Sequence, residues 1–341
     1  MRIGFIRTGI QLNPYKYLLP TFKPYHLQKR FKFSSQDRNL TMDAAPKKRP
    51  YCSACSKPVR VCLCSRFKAP LLDNSIAVTV LQHSLEKNHP LNSIRIASLG
   101  LKNLTVVTVS DVNTEAEFHI RLLKSKLSSE EEEKEEPLIA ATVSKNGYTC
   151  SVLHQTDSLK PDFDQILASQ VGQDAISNGF MVKKLQRKLG NKPNKKLDEE
   201  FEEQDEEFEI AVPPGTALLF PSKGSIDVAV VNFEVKHLIV LDGTWQKAKR
   251  IYYENPWLKL LPHLRLNLGK LSLYGEVRQQ PKEGCLSTIE SVVFAMKGLG
   301  HDQEGLDALL DVFESMVGDQ RRFKDENMSR SQPRATRGLR L

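Results

Sequence analysis

The stretch VKHLIVLDGTWQKAKRIYYENPWL, residues 235–258, decides how the fold of this chain is interpreted. Its apolar run His237–Leu241 predicts a buried strand, and the Asp242-Gly243 pair that follows predicts a sharp turn. Thr244 predicts the N-cap of a helix. A strand end beside the free amides of a helix N-terminus can hold an anion or the polar end of a cofactor. The residues alone leave a second interpretation open, in which Asp242 and Thr244 only cap the helix.

The helix after this turn is predicted to be strongly cationic, because it carries Lys247, Lys249 and Arg250. Such side chains suit contacts with nucleic-acid phosphates. Trp245 opens the helix, and its ring either stacks on a base or packs in the core. Asn255, followed by a proline, is expected to end the helix.

Other short apolar runs predict further strands of one buried sheet. They are Ile76–Leu81, Leu104–Val109 and Ala217–Phe220. Amphipathic patterns after Pro90, at 289–296 and at 306–317 predict helices between and after the strands. This alternation indicates an α/β fold with a mostly parallel sheet, in which ligands bind beyond the carboxyl ends of the strands.

The composition divides the chain into regions. We place a leader at 1–49, a cysteine knuckle at 50–68, an α/β domain at 69–325 and a basic tail at 326–341. The domain contains an insertion at 111–211, whose segments near 138–153 and 180–189 are expected to hold secondary structure.

Charge is unevenly distributed along the chain. Glu130–Glu136 carries −5 and Asp198–Glu209 carries −9, so a net charge of +8 leaves +22 for the rest (8 + 14). Like-charged runs repel themselves, and we expect both to be solvated and mobile. The basic remainder favours a polyanionic partner such as nucleic acid, although surplus lysine and arginine can also serve solubility alone.

The leader is cationic, with seven basic residues and no acidic residue before Asp37. This composition is typical of mitochondrial or plastid transit peptides. Met42 is an alternative start, which would give a cytoplasmic or nuclear protein. No apolar run is long enough to span a bilayer, so we expect no membrane protein.

Four of the six cysteines lie within thirteen residues, at Cys52, Cys55, Cys62 and Cys64. Four soft thiolates suit a tetrahedral zinc ion with no open position, and a CxxC turn can present two of them. The spacing therefore predicts a structural zinc site rather than unpaired thiols in a flexible segment.

Several motifs resemble those of the DTW-domain family of tRNA-uridine aminocarboxypropyltransferases. Asp242-Gly243-Thr244-Trp245 matches the family's D-x-T-W signature. LQHSLEKNHPLNSIRIA (81–97), LLFPSKGS (218–225), NPWL (255–258), SLYGEVR (272–278) and LSTIE (286–290) resemble its other motifs, and the knuckle stands where the family carries one. The motifs cover less than half of the chain. The long acidic insertion and the leader depart from the family pattern.

The resemblance implies a SPOUT-like α/β domain that binds S-adenosylmethionine as co-substrate and tRNA as partner. It implies transfer of a 3-amino-3-carboxypropyl group to N3 of uridine, which releases methylthioadenosine. Asp242, Thr244 and Trp245 are then the catalytic candidates. Asp242 serves either as the general base for the imide proton or as a ligand of the cofactor's amine.

The remaining site candidates follow from the same motifs. Backbone amides around Gly243 would hold the cofactor's carboxylate. The other cofactor-binding candidates are Pro221, Ser222, Gly224, Tyr274 and Arg278. Candidates for contact with tRNA are Arg95, Lys247, Lys249 and Arg250. The S-x-x-E pattern that ends in Glu290 is expected to be a capping box.

Two other functions remain open at this point. A zinc-containing RNA-binding protein without catalysis would keep the aspartate motif for folding only. An S-adenosylmethionine-dependent RNA methyltransferase would use the same cofactor but release adenosylhomocysteine.

Overall fold

The computed structural model describes residues 50–68, 70–123, 138–145, 147–152, 163–187, 204–269, 272–277, 284–300 and 303–331. Its strands are β1 (Ala77–His83), β2 (Leu104–Val109), β3 (Glu115–Leu122), β4 (Ile139–Ser144), β5 (Gly147–Val152), β6 (Phe180–Arg187), β7 (Gln204–Val212), β8 (Thr216–Leu219), β9 (Ile226–Asp227), β10 (His237–Asp242) and β11 (His263–Arg265). Its α-helices are α1 (Ile94–Gly100), α2 (Phe163–Ala168), α3 (Gln170–Asn178), α4 (Trp245–Glu254), α5 (Thr288–Gly298) and α6 (Gln303–Ser331).

A six-stranded sheet forms the centre, in the order β2-β1-β10-β8-β11-β9. Every described pairing in it is parallel. The four apolar runs fall on β1, β2, β8 and β10, and β10 is buried along its whole length. The predicted α/β class with a parallel sheet is confirmed. All six strands end at one edge, which is where a ligand site is expected.

Apolar side chains cover both faces of this sheet. On one face, Val78, Val80 and Leu238 pack against α1, α5, α6 and the cysteine knuckle. On the other face, Leu81 and Ile239 pack against α4 and against the insertion. The predicted stripe on α5 is buried, and Phe313 anchors α6 in the same core. Helix α6 continues to Ser331, past the boundary drawn at residue 325.

The insertion is a second sheet, antiparallel, in the order β5-β4-β3-β6-β7. Its strand β3 alternates buried and partly exposed residues, as expected for a sheet with one face on a core. The segments expected near 138–153 and 180–189 are confirmed as β4, β5 and β6. The first acidic run, Glu130–Glu136, lies outside the described residues, as do the leader and residues 332–341.

The expectation of a mobile second acidic run is wrong for residues 204–209, which belong to β7. The reason is that basic side chains on β6 and on the next strand, β3, face these acids. Lys183 on β6 pairs with Glu206 at 2.8 Å, and Arg121 on β3 pairs with Glu209 at 2.5 Å. Opposite charges across strands remove the repulsion that a run of acids has alone. In the described part of the chain, no helix is both long and apolar enough to cross a membrane.

Candidate active site

Asp242 is the last residue of β10, and it lies at the carboxyl edge of the parallel sheet beside Gln82 of β1. Gln82 Nε2 donates to Asp242 Oδ2 at 2.8 Å, and Thr288 Oγ1 at the start of α5 donates to Oδ1 at 2.5 Å. Asp242 is only 6% exposed. Because each carboxylate oxygen has two lone pairs, it can accept more than these two bonds.

The turn into α4 brings the backbone close to neighbouring side chains. A Cβ on Gly243 would lie 2.9 Å from Cβ of Lys247, so only glycine fits there without a shift. Thr244 is the N-cap, and its side chain accepts from the amide of Lys247 at 3.3 Å, as predicted. Since the first-turn amides of a helix have no acceptor within it, those of Trp245 and Gln246 are available to a ligand.

Two adjoining clefts open at this edge. We call the first the polar cleft; it has a volume of about 650 Å³ and is lined by Glu86, Asn92, Ser93, Asp242, Thr244 and Ser287 among others. The second, the apolar cleft, has about 780 Å³ and is lined by Phe220, Pro221, Leu241, Ala248, Leu264 and Leu266 among others. Gly243, Trp245, Leu286 and Thr288 border both. Both volumes include space that is open to solvent.

The ring of Trp245 is half-buried and borders both clefts, so it does not belong to the hydrophobic core. The core tryptophan is instead Trp257, which is fully buried and meets Phe180 edge to face. An aromatic ring between two clefts can contact a planar ligand in either one.

The loop Pro90–Ser93 forms one wall of the polar cleft. Asn92 ties it together by donating to the carbonyl of Glu86 and accepting from the amide of Ile94. The Tyr274 hydroxyl donates to the carbonyl of Leu91, while its ring packs edge to face on Phe313 of α6. Tyr274 lines the cleft and also holds its wall.

Glu290 is structural. Its carboxylate accepts from the amide of Ser287, in the predicted capping box, and also from the Ser272 hydroxyl and the amide of Leu273. It therefore joins the segment 272–277 to the start of α5.

The candidates Ser222 and Gly224 are not among the residues that line the two clefts. They follow Pro221 in a turn that the Ser225 hydroxyl closes by donating to the Ser222 carbonyl. Arg278 lies outside the described residues.

The four cationic candidates differ in their partners. Lys247 pairs at 3.0 Å with the buried Glu86, which lines the polar cleft, so its charge is already compensated. Arg250 pairs with Glu254, which raises the pKa of Arg250, and with Asp111. Lys249 is exposed. Arg95 donates to the carbonyl of Lys87, and burial lowers the pKa of Arg95.

Two residues of the site, Gln82 and Thr288, escaped prediction as functional residues. Both lie inside motifs that were recognised, but no pattern in the sequence shows which carboxylate they contact. Only the parallel register, which puts Gln82 opposite Asp242, reveals the first contact.

The knuckle brings its four sulfurs within 4.8 Å of one another. The Cys52–Cys64 and Cys55–Cys62 sulfur pairs are each 3.7 Å apart. With Zn–S bonds of about 2.3 Å, the sulfurs of a tetrahedral site would be about 3.8 Å apart. The spacing therefore fits a metal and is too long for disulfides.

The thiols differ in acidity. Amides of Cys55 and Ala54 lower the pKa of Cys52 to about 6, whereas burial and neighbouring sulfurs raise the pKa of Cys64 to about 12. Four thiolates so close together need a cation to offset their repulsion. The donor set thus fits the zinc ion that the spacing predicts.

Comparisons with known proteins agree on one family. The sequence model of the DTW domain matches residues 49–321. A protein named tRNA-uridine aminocarboxypropyltransferase 2 from Drosophila melanogaster is 41% identical over 80 residues, 23% of this chain and 32% of that protein. The protein of the same name from Macaca fascicularis is 23% identical over 267 residues, which are 77% of this chain and 61% of that protein. tRNA-uridine aminocarboxypropyltransferase A from Arabidopsis thaliana is 32% identical over 74 residues, which are 21% of this chain and 28% of that protein. The matches span less than two thirds of each relative. No solved structure matches this chain.

Proposed function

The chain belongs to the DTW-domain family, and from this premise we propose that it is a tRNA-uridine aminocarboxypropyltransferase. It takes S-adenosylmethionine as donor and a uridine of tRNA as acceptor. The observation that carries the proposal is the buried, hydrogen-bonded carboxylate of Asp242, which lines the polar cleft next to Gly243 and Thr288, two of the residues that border both clefts.

The proposed reaction needs alignment and one proton acceptor. N3 of uracil loses its proton and attacks the methylene carbon next to the sulfonium of S-adenosylmethionine. The new N–C bond forms as the C–S bond breaks, and the electron pair of that bond stays on sulfur, which leaves as neutral methylthioadenosine. No acid is needed at the leaving group. Two adjoining clefts suit such a reaction, because each can hold one reactant against the other.

We assign the reactants by chemistry. The apolar cleft, with Phe220, Pro221 and Leu264, suits the adenosine part of the donor. The polar cleft suits the aminocarboxypropyl group and the acceptor uracil. The amides of Trp245 and Gln246 at the start of α4 suit the donor's carboxylate. Asp242 accepts the N3 proton as general base; binding of the donor's ammonium is the alternative role.

The four-cysteine knuckle is proposed to hold zinc, which as a closed tetrathiolate site would stabilise the fold and take no part in the chemistry. Lys249 and Arg250, both exposed on α4, are proposed to contact tRNA phosphates.

Product analysis tests the proposal. Purified protein, tRNA and S-adenosylmethionine should yield aminocarboxypropyl-uridine in the digested tRNA and an equal amount of methylthioadenosine by mass spectrometry. Adenosylhomocysteine instead would show methyl transfer. A protein that neither modifies tRNA nor gains thermal stability from S-adenosylmethionine would be a binding protein only.

Asp242→Asn separates the two roles of the carboxylate. If Asp242 is the base, kcat should fall about 100-fold or more with unchanged affinity for S-adenosylmethionine. If it binds the ammonium, affinity should fall with kcat. Asp307→Asn, on the surface of α6, is the matched control and should leave both values unchanged.

A further inference from the structure

Backbone hydrogen bonds fix Lys57 within the cysteine knuckle. Its carbonyl accepts from the amide of Cys52 at 2.8 Å, and the amide of Ser56 donates to the Cys52 carbonyl at 2.9 Å. Ser56 adopts φ 53°, in the left-handed region, which turns the chain sharply after Cys55. The backbone of Lys57 is thus part of the turn that presents two of the four sulfurs.

The side chain of Lys57 leaves the knuckle and reaches the cleft wall. It is 5% exposed, and Nζ donates to the carbonyl of Pro90. Pro90 begins the loop Pro90–Ser93, whose Leu91, Asn92 and Ser93 line the polar cleft. Tyr274 binds the same loop from the other side, through the Leu91 carbonyl.

A buried donor needs an acceptor, and the carbonyl of Pro90 is the acceptor for Nζ of Lys57. Lys57 therefore connects the backbone of the knuckle to the backbone of the cleft wall.

We infer that Lys57 is a positioning residue that couples the cysteine knuckle to the substrate cleft. The knuckle fixes Lys57, Lys57 fixes the carbonyl of Pro90, and the loop Pro90–Ser93 then holds its place in the cleft wall. This inference rests on the proposed function only for the identity of the ligand, S-adenosylmethionine.

Lys57→Met tests it, because methionine keeps the apolar stem and removes the donor. Binding of S-adenosylmethionine, measured by calorimetry, should weaken about tenfold, the usual loss for one charged hydrogen bond. Zinc content should stay at one ion per chain. Lys57→Arg keeps a charged donor and should restore most of the affinity. Lys68→Met, which removes an exposed lysine of the same knuckle, should bind as the unaltered protein does.

Emission from Trp245 gives a second measurement that needs no ligand, because this ring borders the cleft while the other tryptophan, Trp257, is fully buried. Lys57→Met should shift this emission and Lys68→Met should not. If the proposed function is wrong and S-adenosylmethionine does not bind at all, the emission of the two variants still tests whether Lys57 positions the cleft wall.

Two results would overturn it. One is Lys57→Met with unchanged cofactor affinity and unchanged emission. The other is loss of zinc from Lys57→Met, which would make Lys57 a support of the knuckle only. Tyr274→Phe covers the case in which Lys57→Met does not fold. It releases the same loop without touching the knuckle, and wild-type affinity in this variant would also contradict the inference.

Discussion

Asp242 owes its orientation to two side chains from separate elements, Gln82 on β1 and Thr288 on α5. Each of its oxygens accepts one of these bonds, so the carboxylate cannot rotate without losing both. In a reaction that depends on alignment, a small error in the position of the base costs rate even when its charge is intact. Single hydrogen bonds to Asp242 should therefore matter for catalysis more than for folding.

Thr288→Val removes one of them at nearly constant volume. We expect kcat/KM for tRNA modification to fall by about 10- to 100-fold, as for a lost hydrogen bond to a charged group. Thr288→Ser keeps the hydroxyl and should stay close to the unaltered protein in a steady-state assay. A Val variant with full activity would show that Asp242 does not need this bond.

The strand–turn–helix around Asp242 is the element that the sequence predicts best. Its strand is continuous and apolar, its turn has glycine and its helix has a threonine cap, so local signals agree. Gln82 and Thr288 could not be assigned to it, because their contacts depend on strand register and on the packing of α5. Their distances along the chain from Asp242, 160 and 46 residues, lie beyond any local pattern.

The antiparallel sheet of the insertion did leave a local signal. The strand Glu115–Leu122, with the sequence EAEFHIRL, alternates polar and apolar residues with the period of a half-buried strand. The overall acidity of the insertion obscured this pattern. The partners that neutralise β7, Lys183 and Arg121, become visible only once the strands are paired.

Gly243→Ala tests the tight turn at the start of α4. The new methyl group would lie 2.9 Å from Cβ of Lys247, so the first turn of the helix has to shift. We expect the melting temperature to fall by several degrees, for a loss of about 1–3 kcal/mol, and activity to fall more than stability does. Gly318→Ala in α6 is the matched control. Its Cβ meets nothing within 4 Å, so it should stabilise slightly.

At the scale of the whole molecule, the charge of the folded part is less extreme than +22. That value treats the acidic run at Asp198–Glu209 as separate from the fold, whereas β7 pairs its acids with basic residues of the domain. Part of the positive charge is therefore paired with acidic side chains of the same domain. The charge available to the proposed tRNA partner is that of exposed residues such as Lys249.

The insertion joins the parallel sheet through a buried ion pair. Lys184 on β6 is fully buried, and its Nζ lies 2.6 Å from Oε2 of Glu207 on β7. Both side chains also bind Ser110, which follows β2: Lys184 at the carbonyl, 3.3 Å, and Glu207 at the amide, 2.5 Å. The rings of Phe118 and Phe208 lie under the ammonium. One charge pair thus connects two strands of the insertion to the end of β2, an edge strand of the parallel sheet.

Lys184→Met should lower the free energy of unfolding by about 3–5 kcal/mol, because Glu207 is left as an uncompensated charge. Adding Glu207→Gln removes that charge and keeps an acceptor for the Ser110 amide, so the double variant should regain most of the loss. Lys183→Met, which breaks the exposed pair with Glu206, should cost under about 1 kcal/mol. Urea titrations of the four proteins measure these values. If the double variant is no more stable than Lys184→Met alone, the cost comes from the lost contacts of Lys184 with Ser110 and the two phenylalanines, and not from its pairing with Glu207.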